Sequence, residues 1–185
     1  LDEVSGGSVH LELLYRASRD GWEPQTFHSK CDSHGATVSI VRTANGCILG
    51  GYSDQPWNPR PSHAGQQGWV RSDSAFLFAL QSHAGLPPTK MPLKGSSNQH
   101  AINCHAGRLP SFGGGGDLQF VITHGAPVVV IGIGNTYALP PGQQASFAVG
   151  ATSVGATELE VFSLGEGARG PVHQNLSARL FLLRS

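Results

Sequence analysis

Asn45-Gly46 stands between two apolar runs, one ending at Thr43 and one opening at Cys47. Asn and Gly tolerate the positive φ angles of a type I′ turn, so this dipeptide predicts a hairpin with strands over 36–43 and 47–53. Val38 and Ile40 face one way and Ser39 the other, with Val41 breaking the alternation. The remainder is punctuated in the same manner. Gly (25) and Pro (12) make a fifth of the 185 residues, against roughly 12% in an average chain. Apolar runs between such breakers are short, and they suit strands and turns better than long helices.

Further strands follow from the same pattern. Ser74 to Leu80 puts Phe76, Phe78 and Leu80 on one face of a buried strand. Lys90 to Lys94 and Gln99 to Cys104 are short strand candidates around the turn cluster Gly95-Ser96-Ser97-Asn98. Leu118 to Thr123 and Val128 to Ile133 follow the glycine run Gly113 to Gly116, and Pro140-Pro141-Gly142 is another turn. Glu158 to Leu164 alternates Leu159 and Val161 against Glu158 and Glu160, a half-buried strand. Two short helices are expected. In Ser8 to Ala17, Leu11, Leu14 and Tyr15 fall at i, i+3, i+4, with Ser8 as cap and Gly21 as stop. Pro24 to Lys30 carries its proline in the first turn. Leu176 to Arg184 is apolar and reads as a final strand or a docking segment. The expected fold is α+β: two antiparallel β-sheets packed as a sandwich, flanked by short helices, in a single domain over 1–185.

Charge narrows the function. Lys plus Arg and Asp plus Glu number 12 each, so the formal net charge is zero. No basic excess is available to neutralise phosphates, which argues against nucleic acid as a partner. Few charges and no net charge also reduce self-repulsion and favour association. Cys31, Cys47 and Cys104 cannot all pair within the chain, and reduced thiols in a reducing compartment are the simplest reading. No apolar run approaches the ~18 residues of a membrane helix. The N-terminal Leu1-Asp2-Glu3 lacks a Met and a signal pattern, as expected of a domain taken from a longer protein.

Several constellations are candidates for chemistry. The glycine run is followed by Asp117 and a strand-like segment, where a phosphate loop requires Lys-Ser/Thr and a helix. His28, Cys31 and His34 sit at i, i+3, i+6, and a zinc site would need a fourth ligand such as His100, Cys104 or His105. That spacing matches no known ligand set, so no metal and no cofactor are expected. Ser18, Asp20 and His28 can be drawn as a triad, but no nucleophile motif surrounds them or any cysteine. Glu158 and Glu160 read either as the solvated side of their strand or, for Glu160, as a partly buried acid anchoring a loop.

Taken in order along the chain, certain blocks resemble those of one family. Leu13-Leu14-Tyr15-Arg16-Ala17-Ser18-Arg19-Asp20-Gly21-Trp22, Phe27-His28-Ser29-Lys30-Cys31-Asp32 and Gly35-Ala36-Thr37-Val38 resemble the opening of a TLDc domain. Gly50-Gly51-Tyr52-Ser53 with Trp57 is similar to its second block, and Phe76 to Leu80 to its Phe-Leu-Phe strand. Phe112 to Leu118 resembles its glycine-rich turn, and Glu158-Leu159-Glu160-Val161-Phe162 its closing strand. The resemblance covers residues 9–164; 165–185 form a C-terminal extension, and Val128 to Gly132 stands where many relatives are polar.

The resemblance implies the same two-sheet sandwich and a non-catalytic, regulatory protein-interaction domain. Such domains are associated with oxidation resistance, and several bind the vacuolar proton-pumping ATPase and regulate its assembly. A cytoplasmic domain, acting at organelle membranes through a protein partner such as a pump subunit, is the expectation. It places partner-binding positions at Ser18, Asp20, Gly21, Gly51, Gly114, Gly115 and Glu160, since loops on a rigid scaffold carry recognition. Two other classes stay open from the residues alone. One is a redox or hydrolytic enzyme using Cys31 or Cys104 with His, and the other is a structural domain of a larger assembly.

Overall fold

The computed structural model describes residues 10–59, 68–95 and 98–164. The expected segment Leu176 to Arg184 and the middle of the loop Gln55 to Gly68 lie outside these residues. Among the described residues eleven strands dominate. They are β1 (Leu11–Arg16), β2 (Thr37–Thr43), β3 (Ile48–Ser53), β4 (Trp69–Val70), β5 (Phe76–Gln81) and β6 (Thr89–Pro92). The remainder are β7 (Ile102–Asn103), β8 (Ser111–Phe112), β9 (Leu118–Thr123), β10 (Ala126–Ile131) and β11 (Ser153–Leu164). Two short α-helices, α1 (Ala17–Asp20) and α2 (Pro24–Cys31), follow β1. One-turn 3-10 helices occupy Asn98–His100 and Ala145–Phe147. The α+β class holds, with the fold largely antiparallel β.

The expected pair of separate sheets is corrected. All eleven strands form one hydrogen-bonded sheet, ordered β4-β7-β8-β9-β10-β11-β2-β3-β5-β6, with β1 also on β11. The reason is the length of β11. Its start, Ser153 to Gly155, pairs with β10. Its remainder pairs with β2 on one side and, from Glu160 onward, with β1 on the other. Twelve residues serve both halves of the sheet. The register steps from Ala156↔Thr43 to Glu158↔Arg42, leaving Thr157 as the extra residue of a β-bulge. A bulge shifts the side-chain parity by one, so Ala156 and Leu159 both point into the core although they are three positions apart.

The sheet curls so that its two wings share that core. Val41, Leu49 and Leu77 of one wing join Ile102, Phe112, Phe120 and Val129 of the other in a single buried cluster. An aromatic chain runs through it. Tyr15, Phe27, Trp57 and Phe112 meet edge to face at centroid distances of 5.8, 5.7 and 5.5 Å. The buried Trp57 indole N–H donates to Thr37 Oγ1 over 2.9 Å, which satisfies its one polar atom.

Two local expectations are also corrected. The segment expected as a helix over Ser8 to Ala17 is strand β1 from Leu11 onward, followed by the single helical turn of α1. Leu11 and Leu13 pair with Leu164 and Phe162, then the register shifts and Tyr15 pairs with Val161. The bulge at Leu14 explains the apparent helical spacing, because it displaces the strand's period-two pattern by one residue. The β2–β3 hairpin forms as expected, but its turn differs. Thr43 N–H donates to Cys47 O and Gly46 N–H to Thr43 O, both at 3.0 Å, so the loop is the three residues Ala44-Asn45-Gly46. Only Gly46 has positive φ, +83°. This is a tight turn closed by a glycine bulge, and Asn45 uses its side chain instead, donating to Val149 O over 2.8 Å.

Candidate functional site

The pairing of β1 with β11 brings residues from opposite ends of the sequence to one corner, where α1 and α2 also begin. Arg16 and Glu160 are register partners, and the guanidinium donates to Glu160 Oε1 from Nε at 2.8 Å and from Nη2 at 2.5 Å. One residue pair along, Ser18 donates its N–H (3.0 Å) and its hydroxyl to the Glu158 carboxylate. Asp20 accepts from the Arg16 N–H at 2.9 Å and from the Arg19 guanidinium at 2.8 Å twice, with Lys30 Nζ at 3.6 Å. The Arg19 bond first, and then the Arg16 backbone N–H with the charges of Arg19 and Lys30, hold the Asp20 carboxyl well below the usual carboxylate range.

The corner is asymmetric in exposure. The Asp20 and Glu160 side chains are 8% and 13% exposed, while those of Arg16, Arg19 and Lys30 are 45%, 53% and 39% exposed. These two carboxylates are therefore more covered than the three cations around them; Glu158, the corner's third acid, is half-buried, and the formal charges of the six balance. Glu23, at the head of α2, is the exposed acid beside it. Gly21 joins the corner to α2 at φ +100°, a region that suits glycine. Its carbonyl accepts the buried Tyr15 hydroxyl at 2.6 Å. Burial, with Cys31 and nearby carboxylates adding to it, pushes that phenol above its ordinary range.

The expected glycines fall elsewhere. Gly51 is buried in β3 beneath the Phe112 ring, so it serves packing and presents no surface. Gly114 and Gly115 lie in the glycine-rich turn on the other wing, away from the corner, against His100 and Asn135. Gly114 N–H donates to Thr136 Oγ1 over 2.8 Å.

That turn has an organiser which sequence reasoning missed. Asp117 is fully buried and accepts from the backbone N–H groups of Gly134, Asn135, Thr136 and Tyr137 at 3.0–3.2 Å. Consecutive N–H groups aimed inward make an anion cradle. Here the chain's own carboxylate fills it. An acid directly after the glycine run and ahead of a strand was the available signal.

The cysteine and histidine candidates do not assemble. Among the described residues no group of three or more His, Cys, Asp or Glu could hold a metal ion. His28 points Nδ1 at Asp32 (2.8 Å) and Nε2 at the carbonyls of His105 (3.2 Å) and Arg108 (3.1 Å), bolting α2 to the turn at 105–108. Ser18 is engaged with Glu158 and His28 with Asp32, so the drawn triad of Ser18, Asp20 and His28 is not formed. Cys31, Cys47 and Cys104 are all buried and free of disulfides. Burial, helped by Asp32 and Asp20, pushes the Cys31 thiol up to about 12, the opposite of nucleophile activation.

An open groove of about 380 Å³ lies at the hairpin end of the sheet, lined by Arg42, Thr43, Gly46, Cys47, Ile48, Gln81 and Thr157. It gathers a single charged side chain and no acid–base pair. No helix among the described residues is long and apolar enough to cross a membrane. In comparison with known families, the model of the TLDc domain matches residues 5–165.

Proposed function

Because the chain belongs to the TLDc domain family, we propose that it is a non-catalytic protein-interaction domain, acting in the cytoplasm as a regulator of the vacuolar proton-pumping ATPase in the setting of oxidation resistance. Membership of that family is what supports this class of partner. The single observation that carries the location is the corner of β1, α1 and β11, where Ser18, Asp20 and Glu160 meet through Arg16 and Glu158. Arg16, Arg19 and Lys30 are the more exposed partners of Asp20 and Glu160 there, and their outward guanidinium and ammonium groups suit contact with a carboxylate of a pump subunit. Exposed rim charges of this kind steer encounter and select partners more than they add affinity.

The test is a pull-down of purified pump subunits by the chain under reducing conditions, repeated with Arg19→Gln and Lys30→Gln together. Capture of a subunit by the native chain, weakened by the double substitution and by raised salt, supports the proposal. Absence of association with every subunit removes the pump as partner. Capture indifferent to both substitutions removes the corner as the site.

A further inference from the structure

The tip of the β2–β3 hairpin carries the one Asn-Gly dipeptide of the sequence, Asn45-Gly46, and both residues are exposed. Asparagine before glycine deamidates readily, because glycine has no β carbon to hinder its own nitrogen as that nitrogen attacks the neighbouring side chain. In this reaction the Gly46 nitrogen bonds to Asn45 Cγ and closes a five-membered imide. The Cγ–Nδ2 bond breaks, and ammonia leaves with the proton given up by the Gly46 nitrogen. Water then opens the ring. Opening at Cγ leaves an aspartate, and opening at the main-chain carbonyl leaves an isoaspartate whose backbone is one methylene longer. One water enters, one ammonia leaves, and nothing is oxidised or reduced.

The fold engages every group that has to move. Gly46 N–H donates to Thr43 O over 3.0 Å. Asn45 Nδ2 donates to Val149 O over 2.8 Å, and Asn45 Oδ1 accepts from the Thr43 hydroxyl over 2.7 Å. Attack therefore requires the Gly46 N–H to leave the turn and the carboxamide to swing away from Val149. The far end of that tether is braced. Ala148 O and Phe147 O accept from the His83 and Ala84 N–H groups at 3.0 and 3.1 Å. The His83 ring packs on Gly150, where a β carbon would sit 2.8 Å from three ring atoms. Beside Asn45, Ala44 N–H donates to Gly155 O at the start of β11 over 2.8 Å. We propose that Asn45 is a modification site, a centre of spontaneous deamidation that the native fold holds in check and whose conversion unfastens the hairpin tip from residues 145–150. In either product a carboxylate or carbonyl oxygen replaces the Nδ2 donor, so only acceptors face the Val149 carbonyl. The isoaspartate also lengthens a three-residue loop whose flanks are held in register by the Arg42↔Ile48 pair.

The experiment incubates the full chain in mildly alkaline buffer, folded and in guanidinium, and follows conversion of the peptide containing Asn45 by mass spectrometry. Conversion in the folded chain is expected to be at least several-fold slower than in the unfolded one. Equal rates overturn protection by the fold, and no conversion at Asn45 in the unfolded chain overturns the site. A second measurement compares amide hydrogen exchange of Asn45→Asp with that of the native chain. Several-fold faster exchange is expected at His83, Ala84 and Gly150, with β9 unchanged. Unchanged exchange at these three amides overturns the unfastening, and so does an equal acceleration throughout β9, which would mark a general loss of stability.

Discussion

Gly51 lies directly under the ring of Phe112: a β carbon at position 51 would sit 2.6–2.8 Å from three of its ring carbons. Gly51 is on β3 and Phe112 on β8, so this contact sets how closely the two wings approach. Gly51→Ala forces the ring outward against Trp57 and is expected to lower stability by about 1–3 kcal/mol, the usual cost of overpacking. Urea unfolding of the variant measures it. Phe112→Leu in the same chain should recover part of the loss, and a midpoint unchanged by Gly51→Ala would contradict the contact.

Asp117→Asn tests the buried carboxylate under the glycine-rich turn. All four backbone N–H groups reach Oδ1, and Thr136 N–H also reaches Oδ2. Asparagine keeps one acceptor oxygen but loses the charge and turns an amide donor toward the Thr136 N–H. The loss expected is about 2–3 kcal/mol, as for hydrogen bonds to a charged group. Amide exchange of residues 132–137 should accelerate more than that of β2 and β3.

The corner predicts an acid-side dependence. The folded Asp20 carboxyl titrates below its ordinary value, chiefly because Arg19 and the Arg16 N–H stabilise the ionised form. The unfolded chain therefore takes up this proton first as pH falls. The stabilisation is complete above about pH 4, the range of a free carboxyl, and is lost progressively below it. In chemical denaturation the gap between the native chain and Asp20→Asn should be widest near neutral pH and should shrink as pH falls below 4.

Thiol labelling separates the interaction reading from cysteine chemistry. Cys31 is buried in α2 with its thiol raised, and Cys47 and Cys104 are buried as well. All three should react slowly with an aromatic disulfide reagent at pH 8 and rapidly once guanidinium unfolds the chain. A fast-reacting native thiol would revive the redox class.

Ser39 holds the one buried side-chain oxygen among the described residues without a hydrogen-bond partner. Removing an unsatisfied hydroxyl relieves a desolvation cost of about 1–3 kcal/mol, offset by the small void left behind. Ser39→Ala should therefore raise the melting temperature or leave it unchanged. A marked fall would show that the hydroxyl has a partner in solution.

Legibility followed the range of the interaction. The β2–β3 hairpin, the outward trio Phe76, Phe78 and Leu80, the helix after Pro24 and the alternation of Leu159 and Val161 are local patterns, and each is present. β1 is not legible as a strand, because its bulge at Leu14 imitates helical spacing. The single sheet was hidden because Ser153 to Thr157 shows no clean alternation; its bulge displaces the phase at the point where β11 passes from one wing to the other. Within the site, Ser18, Asp20 and Glu160 come together, but Arg16 and Glu158, which join them, depend on pairings across 144 and 140 positions. No local signal carries that distance. Gly51, Gly114 and Gly115 were legible as special positions; Gly51 is buried under Phe112, while Gly114 and Gly115 are exposed in the glycine-rich turn against His100 and Asn135.

The twelve-residue β11 gives this chain a spine common to both halves. A sandwich of separate sheets can loosen by parting its layers, since only side chains hold them together. In this architecture a parting of the wings must also bend or break a continuous strand, so its halves are mechanically bound to one another. Melting is accordingly expected as a single event, and amides of β9 and of β3 should report the same opening free energy.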